Sequence, residues 1–167
     1  MAPASLWIPA WVALGSNQND PAAQLSAALL ALDDLPDTRV QLCSAFYRSV
    51  PMGPVVQPDF INAVAGVLTR LSPQSLLAHL QALEVSAGRD RDQEQRWGPR
   101  PLDLDILTYG LQRIDEPGLR VPHPGIHERN FVLLPLLAVA PDLEIPGLDS
   151  VRCLAAAVTT EGLERLD

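Results

Sequence analysis

Residues 7–35 read WIPAWVALGSNQNDPAAQLSAALLALDDL, and this stretch predicts a strand, a turn and a helix in succession. The apolar run at 7–14 stops at the turn-forming residues 15–17, which is typical of a buried strand. Asp20 is then a candidate N-cap, and Pro21 is a candidate first residue of a helix. The apolar positions that follow share one helical stripe: Ala22, Leu25, Leu29 and Leu32. The first predicted unit is therefore a strand followed by a helix.

Downstream patterns extend this unit into the order β-α-β-β-α-β. Apolar runs and alternations predict three further strands, at residues 39–47, 60–69 and 102–109. A second helix is predicted to begin at Ser72-Pro73 and to end at Gly88. This order is that of a ferredoxin-like α+β sandwich, which we expect here. Additional C-terminal helices are expected, at residues 128–139 and 154–166.

Length and charge narrow the possible functions. A chain of 167 residues fits one domain, so residues 1–167 are interpreted as a single domain. The net charge of −8 disfavours a nucleic-acid partner, because binding to phosphate backbones needs a surplus of basic residues. Residues 1–9 contain no basic side chain, and no apolar run approaches the roughly 20 residues of a membrane span. We therefore expect a cytoplasmic protein without a membrane partner.

The basic and sulfur-containing residues exclude several kinds of chemistry. Cys43 and Cys153 are too few for a disulfide framework and lack the spacing of a zinc motif, so we expect reduced thiols. All 12 basic residues are arginine, which excludes a Walker-type phosphate loop, a Schiff-base lysine and pyridoxal phosphate chemistry. Any phosphate group must therefore be bound by arginine.

Two aspartates on the strand at 102–109 form a candidate metal site. Strand alternation places Asp103 and Asp105 on one face, with their Cα atoms roughly 7 Å apart. Two neighbouring carboxylates repel each other unless a cation lies between them, and hard oxygen ligands favour Mg²⁺. Such a pair can serve two Mg²⁺ ions in phosphoryl transfer. The alternative is an exposed edge strand that carries two solvated acids.

Four of the 12 arginines precede this strand within 12 residues: Arg89, Arg91, Arg96 and Arg100. Arginine binds phosphate oxygens through paired N–H groups, and phosphoryl transfer depends mainly on orientation and charge neutralisation. A flexible loop that carries these side chains can close over a polyphosphate and exclude water. The alternative is a solvated loop of mixed charge, but the adjacent aspartates favour a phosphate site.

Six sequence blocks carry a resemblance to a known family. The most specific is RWGPRPLDLDIL at 96–107. The others lie in order along the chain, as LGSN at 14–17, QPDFINA at 57–63, GRDR at 88–91, VPHP at 121–124 and the stretch 129–141. Together they resemble the 6-hydroxymethyl-7,8-dihydropterin pyrophosphokinase family of folate biosynthesis, over residues 11–147.

The resemblance implies an enzyme that transfers the pyrophosphoryl group of ATP to the hydroxymethyl oxygen of the pterin and releases AMP. It implies two Mg²⁺ ions held by Asp103 and Asp105, and a catalytic group completed by Arg89 and Arg100. The positions implied to bind ATP are Gln81, Glu84, Arg91, Trp97, Ile106, His123 and Arg129. Those implied to bind the pterin are Ser49, Pro51, Met52, Gly53, Phe60, Asn62 and Phe131.

The residue types at the pterin positions suit a flat heterocycle. Two aromatic rings, Phe60 and Phe131, can stack on it, and the Asn62 amide can both donate to and accept from its polar edge. Without the resemblance, both phenylalanines are equally typical of a core. Two rival functions also stay open on the residues alone, a metal-dependent hydrolase or nucleotidyltransferase and a binding module without catalysis.

Overall fold

An antiparallel sheet flanked by helices organises the chain. The structure, a computed structural model, describes residues 6–166. The expectations of a single domain over residues 1–167 and those drawn from residues 1–9 lie outside this range where they concern residues 1–5 and 167. The strands are β1 (Ile8–Ser16), β2 (Thr38–Cys43), β3 (Tyr47–Ser49), β4 (Phe60–Thr69), β5 (Asp103–Tyr109), β6 (Ile114–Glu116), β7 (Leu119–Val121) and β8 (Leu163–Arg165). The helices are α1 (Pro21–Asp33), α2 (Pro73–Ser86), α3 (Asn130–Val139) and α4 (Val151–Ala156).

The strand β1 lies at the centre of the main sheet. The strand order is β5-β1-β4-β3-β8, and β2 pairs with β4 as well, while β6 and β7 form a separate hairpin that the sequence patterns did not predict. Near the end of β1, Gly15 lies opposite Asn62 of β4 on one side and Asp103 of β5 on the other. The register therefore brings an amide and a carboxylate to the same corner of the sheet.

Both faces of the sheet are buried, so the elements form three layers. Alternate residues of β1 divide between two cores, with Val12 and Leu14 on one face and Trp11 on the other. The first core packs against α1 and α2, and the second against α3 and α4. Burying one large aliphatic side chain stabilises the fold by roughly 1.5–3 kcal/mol. None of the helices within residues 6–166 has the length and apolar character that crossing a bilayer requires.

The helices α1 and α2 begin where the sequence predicts. The Asp20 carboxylate accepts a hydrogen bond from a backbone N–H of the first turn of α1 at 3.4 Å. The Ser72 hydroxyl does the same for α2 at 3.1 Å. In each case a proline follows the cap, where its missing N–H costs nothing. Local capping chemistry thus fixes the start of both helices.

The strand predicted at 39–47 is instead two strands, β2 and β3, which follow one another along the same edge of β4. Ser44 separates them. Its hydroxyl accepts the N–H of Val64 at 3.0 Å, and its own N–H donates to the Val64 carbonyl at 2.9 Å. The Ser44 side chain thus takes the place of a backbone carbonyl in the hydrogen-bond ladder of β4. A pattern of apolar residues does not reveal such a replacement.

The prediction of a helix at residues 154–166 is wrong. The helix α4 ends at Ala156, and the chain turns at Gly162, whose φ of +74° is a conformation that glycine adopts readily. Residues 158–160 are Val-Thr-Thr, which are β-branched and weak helix formers. The strand β8 then pairs with β3, with Leu163 opposite Ser49. The C-terminal segment therefore supports the sheet instead of forming a long helix.

Candidate active site

A cavity of about 360 Å³ opens beside the end of β1 and the starts of β4 and β5. Residues of two segments line it, which we call the proline-rich loop (residues 50–59) and the arginine loop (residues 89–102). Eleven of the predicted site residues line it: Ser49, Met52, Phe60, Asn62, Trp97, Arg100, Asp103, Asp105, His123, Arg129 and Phe131. Residues that lie up to 82 positions apart in the sequence therefore share one cavity.

The acidic pair lies on one face of β5. Asp103 and Asp105 line the cavity, whereas Leu104 between them is buried in the core on the opposite face, as strand alternation predicts. Burial, followed by the charge of Asp103, raises the pKa of Asp105 from its ordinary value of 3.8 to about 7. A carboxylate in this position is stabilised in its charged form by a bound cation.

The donor set of the cavity fits Mg²⁺ that arrives with a phosphate-bearing ligand. Within residues 6–166, no group of three or more His, Cys, Asp or Glu side chains is placed to hold a metal ion. Mg²⁺ usually keeps several waters and binds through one or two carboxylates together with substrate phosphates. Asp103 and Asp105 are two carboxylates of the cavity that could hold Mg²⁺ in this way.

In the metal-free protein, Asp105→Asn is expected to flatten the dependence of stability on pH. Because the pKa of Asp105 is raised in the folded state, the unfolded chain loses this proton first, and stability falls as the pH rises from 3.8 to about 7. The amide cannot ionise, so its Tm should change less over this interval. Thermal unfolding in EDTA measures the slope, with exposed Asp34→Asn as control; equal slopes for wild type and Asp105→Asn would contradict this account.

His123 contributes a neutral imidazole to the wall of the cavity. Burial, followed by the positive charge of Arg129, lowers the pKa of His123 to about 4. Its Nδ1 accepts the N–H of Gly125 at 3.0 Å, so the neutral ring carries its proton on Nε2. That nitrogen lies 3.7 Å from Oδ2 of Asp105. His123 therefore presents an N–H donor beside the acidic pair, where a phosphate oxygen can accept it.

Arg89 lies behind the acidic pair and is enclosed by carboxylates. It is 5% exposed, and its Nη1 donates to Asp103 at 2.8 Å and contacts Glu84 as well. Its Nε and Nη2 donate to the two oxygens of Glu94 at 2.7 and 2.9 Å. Although burial disfavours the charge, the surrounding acids raise the pKa of Arg89 beyond its ordinary value. This guanidinium is therefore permanently charged.

Arg100 contacts the same acids from the cavity side. Its Nη1 donates to Asp103 at 3.2 Å, and its Nη2 lies 3.3 Å from Glu94. Its Nε is the one buried side-chain polar atom within residues 6–166 that has no hydrogen-bond partner. An unpaired buried donor is costly, so an acceptor atom that reached this N–H would stabilise the site.

Seven predicted site residues do not line the cavity: Pro51, Gly53, Gln81, Glu84, Arg89, Arg91 and Ile106. Glu84 is the most informative of them because its carboxylate is 1% exposed. Besides Arg89, it accepts hydrogen bonds from Arg91 at 2.8 Å and from the backbone N–H of Leu104 at 2.9 Å. In this arrangement Glu84 joins α2 to β5 and to the arginine loop, while Gln81 is exposed on α2.

The other side of the cavity carries the predicted pterin residues. The Nδ2 of Asn62 donates to the Ser49 hydroxyl at 2.6 Å, which fixes the orientation of the amide. Asn62 Oδ1 faces Gly15, where an added Cβ would lie 3.3 Å away. The rings of Phe60 and Phe131 line the same cavity. An oriented amide and two aromatic rings in one cavity are suited to a flat ligand with a polar edge.

Four cavity residues were absent from the predicted site: Gly15, Val50, Arg96 and Gly98. Two signals pointed towards them. Gly15 and Gly98 stand inside the blocks LGSN and RWGP that carry the family resemblance, and Arg96 belongs to the arginine cluster. Val50 lies between Ser49 and Pro51, two positions that the resemblance implies to bind the pterin, so its place in the chain was a signal as well.

An acidic pair, a free arginine donor and an aromatic pair in one cavity define an enzyme that transfers phosphate-containing groups to a small planar acceptor. The comparisons agree with this class. Residues 11–141 match the family described as 7,8-dihydro-6-hydroxymethylpterin-pyrophosphokinase (HPPK). The chain therefore belongs to the HPPK family.

Two curated relatives and one solved structure illustrate the similarity. A 2-amino-4-hydroxy-6-hydroxymethyldihydropteridine pyrophosphokinase of Pseudomonas aeruginosa is 51% identical, over 93% of this chain and 95% of the relative. Another, of Haemophilus influenzae, is 50% identical over 83% and 86% of the two chains. Plasmodium falciparum HPPK-DHPS with pterin and p-hydroxybenzoate has a TM-score of 0.76 at 16% identity. The match covers 98% of this chain, which spans about half (47%) of that protein. Because the identity is only 16%, the likeness concerns the fold alone.

Proposed function

We propose that this protein transfers the pyrophosphoryl group of ATP to 6-hydroxymethyl-7,8-dihydropterin, giving AMP and the pterin diphosphate in folate biosynthesis. Membership of the HPPK family supports the activity. The structural observation that carries it is the single cavity in which Asp103, Asp105 and Arg100 lie beside Phe60 and Phe131. A phosphate side and a planar acceptor side thus share one cavity.

The metal role is assigned to the acidic pair. Asp103 and Asp105 are proposed to hold two Mg²⁺ ions that bind together with ATP, which supply charge neutralisation and polarise the phosphate oxygens. The raised pKa of Asp105 supports this assignment, because burial and the charge of Asp103 disfavour a bare carboxylate that a bound cation would stabilise. Asp103, which Arg89 and Arg100 contact, would hold a cation with the same carboxylate, and guanidinium donors of both arginines would then be available to phosphate.

The charge that spreads over the transferred group is proposed to be stabilised by arginine. Arg100 has an unpaired Nε beside the acidic pair, and Arg89 stands directly behind Asp103. His123 supplies a further neutral N–H donor, and Trp97 covers the cavity from the arginine loop. The remaining residues that we assign to ATP are Gln81, Glu84, Arg91, Ile106 and Arg129.

The acceptor is proposed to bind between Phe60 and Phe131. The amide of Asn62, oriented by Ser49, recognises the polar edge of the pterin. The proline-rich loop contributes the other acceptor contacts that we assign: Pro51, Met52 and Gly53. The hydroxymethyl oxygen then attacks the β-phosphorus of ATP, a new P–O bond forms, the bond to the AMP oxygen breaks, and the hydroxyl proton is released.

A product assay tests the proposal. Purified protein is incubated with ATP, Mg²⁺ and 6-hydroxymethyl-7,8-dihydropterin, and AMP release is followed with and without the pterin. Pterin-dependent AMP is the expected result. ADP or free phosphate as product would favour a hydrolase or a different phosphotransferase, and binding of ATP without turnover would favour a binding module.

Arg100→Ala is expected to lower kcat by roughly 100-fold while changing ATP affinity little, because the lost donor acts mainly on charge that develops during transfer. Steady-state kinetics together with equilibrium binding of ATP separates the two effects. Arg152→Ala serves as the control, since that side chain is 63% exposed and pairs with Asp142 on the surface. An unchanged kcat for Arg100→Ala would remove Arg100 from the catalytic group.

Three further assignments complete the proposal. We infer that residues 1–167 act as a single domain, and that its first seven elements, β1 to β5 with α1 and α2, correspond to a ferredoxin-like β-α-β-β-α-β core in which β2 and β3 together take the place of one strand. The antiparallel order β5-β1-β4, with α1 and α2 on one face, supports this correspondence. The cytoplasm is the proposed location because ATP is the co-substrate.

A further inference from the structure

Asn17 joins three separate segments at the rim of the cavity. It directly follows β1 and is 3% exposed. Its Nδ2 donates to Oε1 of Gln57 and to the carbonyl of Pro58, both at 2.9 Å. Its Oδ1 accepts the backbone N–H of Arg100 at 2.9 Å, and its own N–H donates to the Arg100 carbonyl at 3.1 Å. The amide of Asn17 thus contacts both the proline-rich loop and the arginine loop.

A second set of contacts joins the two loops directly. The Nε2 of Gln57 donates to the carbonyl of Trp97. The Trp97 ring packs against Gly53, where an added Cβ would lie 2.8 Å from Cγ of Trp97. Gly53 has a φ of +83°, so both its conformation and its surroundings favour glycine. We refer to Asn17, Gln57 and Trp97 as the clasp.

The clasp lies between the two sides of the cavity. The proline-rich loop leads into Phe60 on the acceptor side, and the arginine loop carries Arg100 on the phosphate side. The Asn17 amide has partners on both loops, and the Gln57 amide donates from the proline-rich loop to the arginine loop, so moving one loop relative to the other breaks hydrogen bonds of the clasp. Hydrogen-bonded side chains that share partners in this way change together.

We propose that Asn17 is a positioning residue that couples the two loops through the clasp, so that nucleotide and pterin each tighten the binding of the other. The inference rests on the proposed function, which assigns these ligands to the two sides. Asn17 needs no contact with either ligand. It holds the backbone of Arg100, three residues before Asp103, and thereby sets the position from which the guanidinium reaches the acidic pair. Thermodynamic linkage makes the effect reciprocal.

A role limited to fold stability predicts something different. A buried amide that merely stabilised the chain would lower Tm when replaced, but the factor by which nucleotide changes the pterin affinity would stay the same. The ratio of the pterin Kd without nucleotide to the Kd with nucleotide is therefore the decisive quantity. It is measured by calorimetric titration of the pterin, with and without Mg²⁺ and α,β-methylene-ATP, a nucleotide that cannot be turned over.

Two variants address the clasp, and two matched controls accompany them. Asn17→Asp keeps the oxygen that accepts from Arg100 but loses both donated hydrogen bonds. Gln57→Glu keeps the oxygen that accepts from Asn17 but loses the donor to Trp97. Because Gln57 is only half-buried, Gln57→Glu is expected to fold even if Asn17→Asp does not. Exposed Asn19→Asp and Gln112→Glu make the same chemical changes outside the clasp.

The expected result is a ratio of at least about 5 for the wild type and the controls, falling towards 1 in Gln57→Glu and Asn17→Asp. A ratio that stays within about twofold of wild type in Gln57→Glu, or a wild-type ratio near 1, would overturn the proposal while pterin-dependent AMP still forms. Absence of pterin binding and of pterin-dependent AMP in the wild type would overturn the proposed function itself, and the inference with it. Product formation therefore distinguishes the two failures.

Discussion

Asp103→Ala should lower kcat by roughly 1,000-fold or more while the protein stays folded. Charge stabilisation by metal ions contributes several kcal/mol to such reactions, and each 1.4 kcal/mol corresponds to a factor of ten in rate. Asp103 is also the acid that both Arg89 and Arg100 contact, so its loss removes the metal ligand and releases the arginines at once. Pterin-dependent AMP formation under saturating substrates measures the effect.

The fold should survive this replacement because Arg89 keeps its contacts with Glu84 and Glu94. Thermal unfolding of the variant therefore accompanies the kinetics. Asp34→Ala is the matched control, since Asp34 is an exposed aspartate at the end of α1. Turnover of a folded Asp103→Ala variant within tenfold of the wild type would show that this carboxylate does not hold the metal.

Arg89→Ala should destabilise the protein by about 3 kcal/mol or more, in addition to its effect on catalysis. Its side chain is 3% exposed, and its removal leaves the 1% exposed carboxylate of Glu84 without its buried counter-charge. Taking one partner out of a buried ion pair costs about 3–5 kcal/mol, and the largely exposed Arg91 would be the only ion-pair partner left to Glu84 within residues 6–166. Denaturant unfolding of the ligand-free protein measures this loss.

Arg91→Ala provides the matched control for this experiment. Arg91 pairs with the same carboxylate at 2.8 Å, but its side chain is 55% exposed. Water screens such a pair, so its removal should cost less than about 1 kcal/mol. Similar losses for Arg89→Ala and Arg91→Ala would mean that burial of Arg89 does not govern stability here. A double replacement of Glu84 and Arg89 by apolar residues should recover part of the loss.

Local chemistry explains which parts of the fold could be predicted from the sequence. Helix capping and strand alternation depend on residues that are close together in the sequence. The starts of α1 at Asp20 and of α2 at Ser72, and the burial of Leu104, could therefore be predicted from the sequence. Ser44 and Gly162 act differently. The hydroxyl of Ser44 replaces a ladder bond of β4, and the turn at Gly162 sends β8 back to β3. Both features depend on a partner that is distant in sequence, and a pattern of apolar residues does not identify such a partner.

The candidate site divides in the same way. The strand pattern alone predicts that Asp103 and Asp105 share one face. Arg100 was assigned to the same site because it lies three residues before Asp103 in the sequence. The aromatic side of the cavity needed the family resemblance, because a phenylalanine such as Phe60 is equally typical of a core. The buried network around Glu84 could not be read from the sequence. The Glu84 carboxylate contacts Arg89 and Arg91 and accepts a backbone N–H from β5. These donors come together only through the packing of α2 on β5.

The pairing of β8 with β3 has a practical consequence for protein engineering. The strand β3 has three residues, and one of them, Ser49, orients Asn62. A shortened variant that lacks residues 163–165 would leave the backbone N–H and C=O groups of β3 unpaired along one side. Uncovered strand edges recruit other chains. Self-association of such a variant would therefore begin at the wall of the acceptor pocket, and fusion partners are better attached away from this strand.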